Sequence, residues 1–254
     1  KKRIFEKEKS EYTIRTIRSL LNSYNYNKEL FKKINFKITI VDNNSKKEDL
    51  DLIKSILQQS LINFQIINLN VDDFSYIKTL NKNNPTIENN MKATMASILK
   101  SFEVARETAN DLIYFVEDDY IHKNESLSEI LFTYEKIASQ TGKEIFLCPV
   151  DYPYLYKDSE KTNILIGHQY HWRTIKESLL TFMTSKQMLN KHWLSLVKMG
   201  SEEHSPFETP LHKIYEDEIC LSPIPSLAMH CTNVNSVFGL SPNINWEKLW
   251  DENK

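Results

Sequence analysis

The residues with the clearest chemical potential in this chain are three consecutive acids, Glu117, Asp118 and Asp119. They follow the apolar run 112–116, which is typical of a central strand buried on both faces. Carboxylates crowded at the end of such a strand repel one another, so the pKa of at least one is raised unless a cation is bound. Hard oxygen ligands suit Mg²⁺ or Mn²⁺, ions that bridge carboxylates to substrate phosphates. The alternative is structural, a strand-end turn whose acids cap the next helix.

Alternating strands and helices are expected to position these acids. The predicted strands are 36–42, 64–69, 112–116 and 145–150. The predicted helices cover about 11–23, a segment from the capping box Ser45/Glu48, 91–105, and a segment from the capping box Ser126/Glu129. This alternation predicts an α/β fold with one mostly parallel central sheet flanked by helices. Because ligands bind beyond the carboxyl ends of parallel strands, Asp42 and the acidic triplet are expected to share one rim.

The second half of the chain is less regular. It predicts a strand at 179–183, a helix from Met188 that closes near Gly200, and short strands at 219–221 and 224–229. Ser205-Pro206 is expected to open a helix toward Tyr215, with proline at its first position.

Taken in order, these motifs resemble those of glycosyltransferases with the GT-A fold, particularly the family 2 group. Ile38–Ser45 is similar to the strand motif whose aspartate contacts the donor nucleobase. The resemblance therefore assigns Asp42, with Asn44 in the same motif, to nucleotide binding. The apolar strand with which these enzymes begin is not clearly supplied by residues 1–10, where Arg3-Ile-Phe is its nearest match.

Phe115–Asp119 resembles the DXD motif of that family, with glutamate in place of aspartate at 117. The resemblance implies that Asp119 binds the metal, that Glu117 lies near the nucleotide ribose, and that Asp118 supports both. The implied cofactor is Mn²⁺ or Mg²⁺.

Pro223–His230 resembles the late strand that delivers a histidine to the metal in many such enzymes. The resemblance makes His230 a metal ligand, and an imidazole suits Mn²⁺ better than Mg²⁺. The alternative is a structural or exposed strand-end histidine.

An inverting transferase also needs a carboxylate that takes a proton from the acceptor hydroxyl. Glu208 best matches the family position of this base, ahead of Asp217 and Asp151. The alternative for Glu208 is structural, since Ser205 and Glu208 have the spacing of a capping box.

Aromatic residues at 149–156, together with Tyr170, His171 and Trp172, form a candidate acceptor platform, although loop packing explains them equally well. Arg173 is a candidate for bidentate binding of a diphosphate, or for pairing with a nearby acid. The His168-x-x-His171 spacing is compatible with zinc, but no cysteine pair accompanies it.

Composition narrows the class of protein. The net charge of -2 comes without a basic stripe, which argues against a nucleic-acid partner. An odd count of three cysteines argues against a disulfide-built secreted domain and favours the cytoplasm. No apolar stretch approaches the roughly 20 residues of a membrane span, so membrane association would need flanking sequence. The 254 residues suit one domain, with a nucleotide-sugar half at 1–125, an acceptor half at 126–240 and a tail at 241–254.

The sequence thus predicts a metal-dependent, inverting glycosyltransferase that uses a nucleotide-sugar donor, with UDP-sugars favoured, and a glycan or other hydroxyl acceptor. One alternative is a nucleotidyltransferase, although a chain with 4 glycines has little material for a glycine-rich phosphate loop. The other is a non-catalytic GT-A-like binding module, since a fold alone does not establish activity.

Overall fold

The computed structural model describes residues 2–80, 83–159 and 161–254, which form a mixed α/β structure. The helices are α1 (Lys9–Tyr26), α2 (Lys28–Phe31), α3 (Lys47–Ser60), α4 (Pro85–Thr108), α5 (Ser126–Thr141), α6 (Lys186–Lys191), α7 (Trp193–Ser201), α8 (Thr209–Asp217) and α9 (Trp246–Glu252). The strands are β1 (Lys37–Asp42), β2 (Asn63–Asn68), β3 (Leu112–Phe115), β4 (Tyr120–His122), β5 (Phe146–Leu147), β6 (Ile164–Ile166), β7 (His171–Thr174), β8 (Phe182–Ser185), β9 (Cys220–Ile224) and β10 (Ala228–His230). Short 3₁₀ turns cover Ile4–Glu6, Val71–Phe74 and Pro153–Tyr156.

The chain forms two compact units, each assembled from separate segments. Unit 1 is drawn from residues 1–36, 114–183 and 219–254, and unit 2 from residues 37–113 and 184–218. The functional halves expected at 1–125 and 126–240 divide the chain differently and stay predictions.

The largest sheet has six strands in the order β3-β8-β5-β9-β7-β6. Among its pairings of described register, β5 with β9 is parallel, whereas β5–β8, β7–β9 and β6–β7 are antiparallel. The expectation of one mostly parallel sheet is therefore wrong. The expected central strand, β3, stands at one end of the order, and β1 pairs in parallel with β2 in a sheet of their own. The hairpin β6–β7, which the sequence pattern did not reveal, contributes one of the antiparallel pairings.

The predicted capping boxes are also wrong. Helix α3 begins after Lys46, α5 after Glu125 and α8 after Glu208, and none of these N-cap side chains makes a capping hydrogen bond. Helix α8 starts at Thr209, three residues later than expected, and the proline of its first turn is Pro210.

Unit 2 is built around α4, which packs its apolar face on α7 and on the residues that follow β2. Its core contains Leu69, Phe74, Ile77, Met95, Ala96 and Leu99. A Cβ added at Gly200 of α7 would lie 2.6 Å from the Leu99 side chain, so this glycine allows the two helices to approach closely.

In unit 1, helix α9 packs on the core through Trp250, which contacts Tyr12 of α1. The Arg15 guanidinium lies 4.1 Å above the Trp250 ring and donates a hydrogen bond to the Trp250 carbonyl. The C-terminal aromatic segment is thus part of the fold of this unit.

Helix α1 positions β4 and the start of α5 through hydroxyl groups on its buried face. Ser19 Oγ accepts the backbone N–H of His122 at 3.0 Å, and Ser23 Oγ accepts that of Leu127 at 2.9 Å. These bonds satisfy buried backbone donors that would otherwise oppose folding.

His122 is fully buried and is held as a neutral imidazole. Because Ser19 Oγ donates to the Thr16 carbonyl at 2.8 Å, it can only accept from His122 Nδ1, 3.4 Å away. His122 Nε2 is then left to accept from the Tyr114 hydroxyl at 2.6 Å. Burial lowers the pKa of His122 to about 3.

Among the described residues, no helix combines the length and the apolar character needed to cross a membrane.

Acid is expected to destabilise the protein through His122. In the unfolded chain His122 binds a proton near the ordinary pKa of 6.5, whereas in the folded chain it does so only near 3. The free energy of unfolding is therefore highest above pH 6.5 and decreases as the pH falls from 6.5 toward 3, because protonation of His122 favours the unfolded chain. Lowering the pH from 7 to 5 should cost about 2 kcal/mol through this residue. Urea titrations at both pH values measure this loss. For His122→Gln, the free energy of unfolding should decrease by about that amount less between pH 7 and pH 5. An equal loss in both proteins would contradict the assignment.

Candidate functional site

The antiparallel pair β4–β10 brings two predicted metal ligands together. The register places His230 opposite Tyr120, and the Cys231 N–H donates to the Asp119 carbonyl at 2.9 Å. Asp119 Oδ2 consequently lies 3.5 Å from His230 Nε2. The His230 side chain is 5% exposed and that of Asp119 is 17% exposed, so the pair is shielded but still accessible from the carboxylate side.

The His230 ring is oriented on three sides. Its Nδ1 lies 2.8 Å from the Phe238 carbonyl, and the Tyr120 ring stacks on it at 4.8 Å and 13°. The Tyr120 hydroxyl is in turn 2.7 Å from that of Tyr152. Burial acts to lower the pKa of His230, but the hydrogen bond to Asp119 and the negative charges of Asp119 and Glu117 outweigh it and raise the pKa.

The donor chemistry of this pair fits a divalent metal. Two ligands that are each about 2.1 Å from one ion stand about 3.0–3.4 Å apart, close to the observed separation. A carboxylate oxygen and an imidazole nitrogen suit Mn²⁺, and Mg²⁺ to a lesser degree. Within the described residues, no group of three or more His, Cys, Asp or Glu side chains is arranged to hold a metal. Such an ion would therefore have water or phosphate oxygens in its other positions.

The other two acids of the triplet contact different partners. The Glu117 backbone N–H donates to Thr181 Oγ1 at 3.0 Å, and that hydroxyl lies 3.5 Å from Glu117 Oε2. Asp118 is exposed and pairs with Lys9 of α1 at 3.1 Å. The nucleotide-binding roles predicted for Glu117 and Asp118 stay predictions.

Asp151 and Arg173 form a buried ion pair. Arg173 Nη2 lies 2.5 Å from Asp151 Oδ1, and the Tyr156 hydroxyl donates to Asp151 Oδ2. The guanidinium also lies 4.4 Å above the Tyr156 ring. Burial raises the pKa of Asp151 even though Tyr156 and Arg173 act to lower it. Since both carboxylate oxygens are engaged, this arrangement favours a structural role over the predicted base and diphosphate-binding roles.

In unit 2, Asp42 ends β1 and is buried. Its Oδ2 accepts the Ser45 N–H at 3.3 Å, and its carbonyl accepts the Leu69 N–H at 2.7 Å. Asn44 is exposed and occupies the left-handed region with φ of 60°. The Asp42 carboxylate therefore shapes the turn that presents Asn44. Contrary to expectation, β1 and β3 belong to different sheets.

The two remaining base candidates flank α8, also in unit 2. Glu208 is half-buried at the N-cap position, where its carbonyl accepts the N–H groups of Leu211 and His212. Its side chain makes no capping hydrogen bond, so Glu208 does not close a capping box on α8. Asp217, the last residue of α8, is exposed.

Part of the predicted acceptor platform is inaccessible. Trp172 and Tyr152 are fully buried, whereas Tyr156 is 50% exposed. Tyr170 is half-buried and His171 is exposed. Trp172 lies inside because β7 faces the core at this position, so a platform would have to use the exposed residues.

Glu129 was missed by sequence reasoning, which read it only as a capping-box residue. It is buried and accepts hydrogen bonds from five donors of its surroundings. These are the N–H groups of His168 at 3.2 Å, Gln169 at 2.8 Å and Tyr170 at 3.2 Å, Trp172 Nε1 at 3.1 Å and Thr133 Oγ1 at 2.9 Å. One carboxylate therefore shapes the 167–172 turn. In that turn His168 is exposed beside the Phe132 ring at 4.8 Å, and the described residues give zinc no further ligands at His168 and His171.

Comparison with protein-family models gives no match, and comparison with curated protein sequences gives none either.

Replacing Glu129 should strongly destabilise unit 1. Glu129→Ala leaves the backbone N–H groups of Gln169 and Tyr170 and the indole N–H of Trp172 without their acceptor, which should lower the free energy of unfolding by at least about 3 kcal/mol. The His168 N–H retains Thr133 Oγ1 as an acceptor at 3.0 Å. Glu135→Ala, an exposed acid on the same helix, is the matched control and should change it by less than about 0.5 kcal/mol. Chemical denaturation measures both, and similar losses would show that the Glu129 bonds contribute little.

Proposed function

We propose that this chain is a metal-dependent glycosyltransferase that moves a sugar from a nucleotide-sugar donor to an acceptor hydroxyl with inversion. The observation that carries the proposal is the approach of Asp119 to His230 at 3.5 Å, directly after the motif that resembles DXD. The proposal includes a GT-A-like fold whose largest sheet is mostly antiparallel in its described pairings.

Asp119 and His230 are the residues that would hold Mn²⁺ or Mg²⁺. When bound, the ion supplies Lewis-acid neutralisation of the diphosphate leaving group. His230 suits this role because its Nδ1 is engaged by the Phe238 carbonyl, so the lone pair of the neutral ring lies on Nε2, toward Asp119. Shielding of the pair from water strengthens its interaction with a cation.

The remaining roles concern substrate. Glu117 binds the nucleotide on the ribose side with support from Asp118, Asp42 and Asn44 contact the base, and a UDP-sugar is the favoured donor. Glu208 takes the proton from the acceptor hydroxyl as the oxygen attacks the anomeric carbon. Asp151 is set aside as the base because both of its carboxylate oxygens accept hydrogen bonds, from Arg173 and Tyr156.

A nucleotide-sugar should stabilise the protein only when metal is present. The test is a thermal-shift panel of UDP-, GDP-, CMP- and dTDP-sugars, each with and without Mn²⁺. A donor at 100 times its Kd should add about 2.7 kcal/mol of stability. Asp119→Asn should abolish the metal-dependent shift, whereas Glu135→Gln should retain it. No shift with any donor would reject the transferase proposal and favour a non-catalytic module.

Substitution of the base should separate chemistry from binding. With whichever UDP-sugar gives the shift, Glu208→Gln should slow UDP release about 100-fold to 10,000-fold, while the metal-dependent thermal shift persists. Asp217→Asn, at the opposite end of α8, is the matched comparison and should release UDP at the wild-type rate. The reverse result would assign the base to Asp217, and an unaffected rate in both would exclude α8 as its source.

A further inference from the structure

We propose that the turn formed by residues 233–239 is a positioning element that holds the hydrogen of the neutral His230 ring on Nδ1, so that the Nε2 lone pair faces Asp119. This inference rests on the proposed function in one respect, that Nε2 is the nitrogen of His230 that binds the metal. The geometry of the turn itself is independent of that function.

The turn reaches His230 through a backbone carbonyl. Phe238 O lies 2.8 Å from His230 Nδ1, and a carbonyl oxygen can only accept. Nδ1 must therefore carry a hydrogen, and in the neutral ring the lone pair lies on Nε2, 3.5 Å from Asp119 Oδ2. Without this acceptor, the neutral ring would be free to carry its hydrogen on Nε2, where it blocks a metal.

The Phe238 carbonyl is held in place from outside the turn by aromatic contacts. The Phe238 ring meets the ring of Tyr152 at 5.2 Å and 78°, and that of Tyr154 at 5.2 Å. The Tyr154 N–H also donates to the Val237 carbonyl at 3.0 Å. Edge-on and tilted ring contacts of this kind are favourable beyond the area they bury.

The turn is also fixed from within. Ser236 N–H donates to the Asn233 carbonyl at 2.7 Å, and Gly239 N–H donates to the Ser236 carbonyl at 3.0 Å. A Cβ added at Gly239 would lie 2.4 Å from Val234 O and 2.7 Å from Asn233 O, both backbone atoms. Any side chain at 239 must therefore displace the turn, and with it the carbonyl of the preceding residue.

Three variants test the role of the turn. Gly239→Ala displaces it by steric clash, and Phe238→Ala removes its aromatic anchor without a clash. Gly142→Ala is the matched control, because a Cβ there meets nothing within 4 Å and its φ of 65° strains the backbone at a position away from His230. Circular dichroism and thermal unfolding establish that each variant is folded.

Two readouts are compared on the full chain. Long-range ¹H–¹⁵N correlation spectra, recorded above the pKa of the ring, identify the tautomer of His230 without any metal. Calorimetric titration with MnCl₂ gives the metal affinity. We expect the Nδ1–H tautomer in wild type and Gly142→Ala, and a mixture of tautomers in Gly239→Ala and Phe238→Ala. Mn²⁺ affinity should fall about 10-fold to 100-fold in the latter two.

The outcomes separate the positioning role from the proposed function. A wild-type His230 that carries its hydrogen on Nε2, or folded Gly239→Ala and Phe238→Ala proteins that keep the wild-type tautomer, would overturn the positioning role. A wild-type tautomer that is lost in these variants, in a protein that does not bind Mn²⁺, would uphold the positioning role and reject the metal site of the proposed function.

Discussion

The antiparallel pairing of β4 with β10 is the constraint on which the candidate site depends. It joins residues more than a hundred positions apart in sequence, with His230 opposite Tyr120. Because the strands run in opposite directions, the last residue of β10 meets the first residue of β4, which follows Asp119 directly. A parallel pairing of the same strands would place His230 at the other end of β4, beside His122. The direction of this pair, rather than the presence of an acid and a histidine, creates the arrangement.

The short strand β4 owes its position to polar contacts as much as to apolar ones. Its residues are fully buried, and α1 meets it with the Ser19 hydroxyl at the backbone and the ring of His122. Each of these groups has a partner, so the buried polar set orders the strand instead of opposing its burial. Helix α1 thereby influences Asp119, three residues before His122, although its nearest link to the acidic triplet is the exposed pair Lys9–Asp118.

The sequence predicted the positions of individual strands better than the order and direction in which they pair. Apolar runs located β1 and β3. The structure brings Asp119 within 3.5 Å of His230, and their metal-binding role stays a prediction. The hairpin β6–β7 was missed because it includes His171 and Arg173, whose polar side chains hide the strand pattern. The capping box Ser126/Glu129 was wrong because local spacing does not reveal that Glu129 accepts hydrogen bonds from a turn about 40 residues away. Hydrogen bonds to residues far away in the sequence thus determine the role of Glu129, in competition with the local capping bond that its spacing suggested.

In unit 1, the pair Asp151–Arg173 and the pair Asp119–His230 differ in their chemistry. Arg173 cannot release its proton in a protein, and it occupies one oxygen of Asp151 while Tyr156 occupies the other. This pair is locked as a structural contact. The neutral ring of His230 would be able to offer its Nε2 lone pair to a metal ion, because its hydrogen is held on Nδ1 by the Phe238 carbonyl. An acid beside an imidazole nitrogen with a free lone pair would be able to function as a ligand set, and this property distinguishes Asp119 and His230 from Asp151 and Arg173.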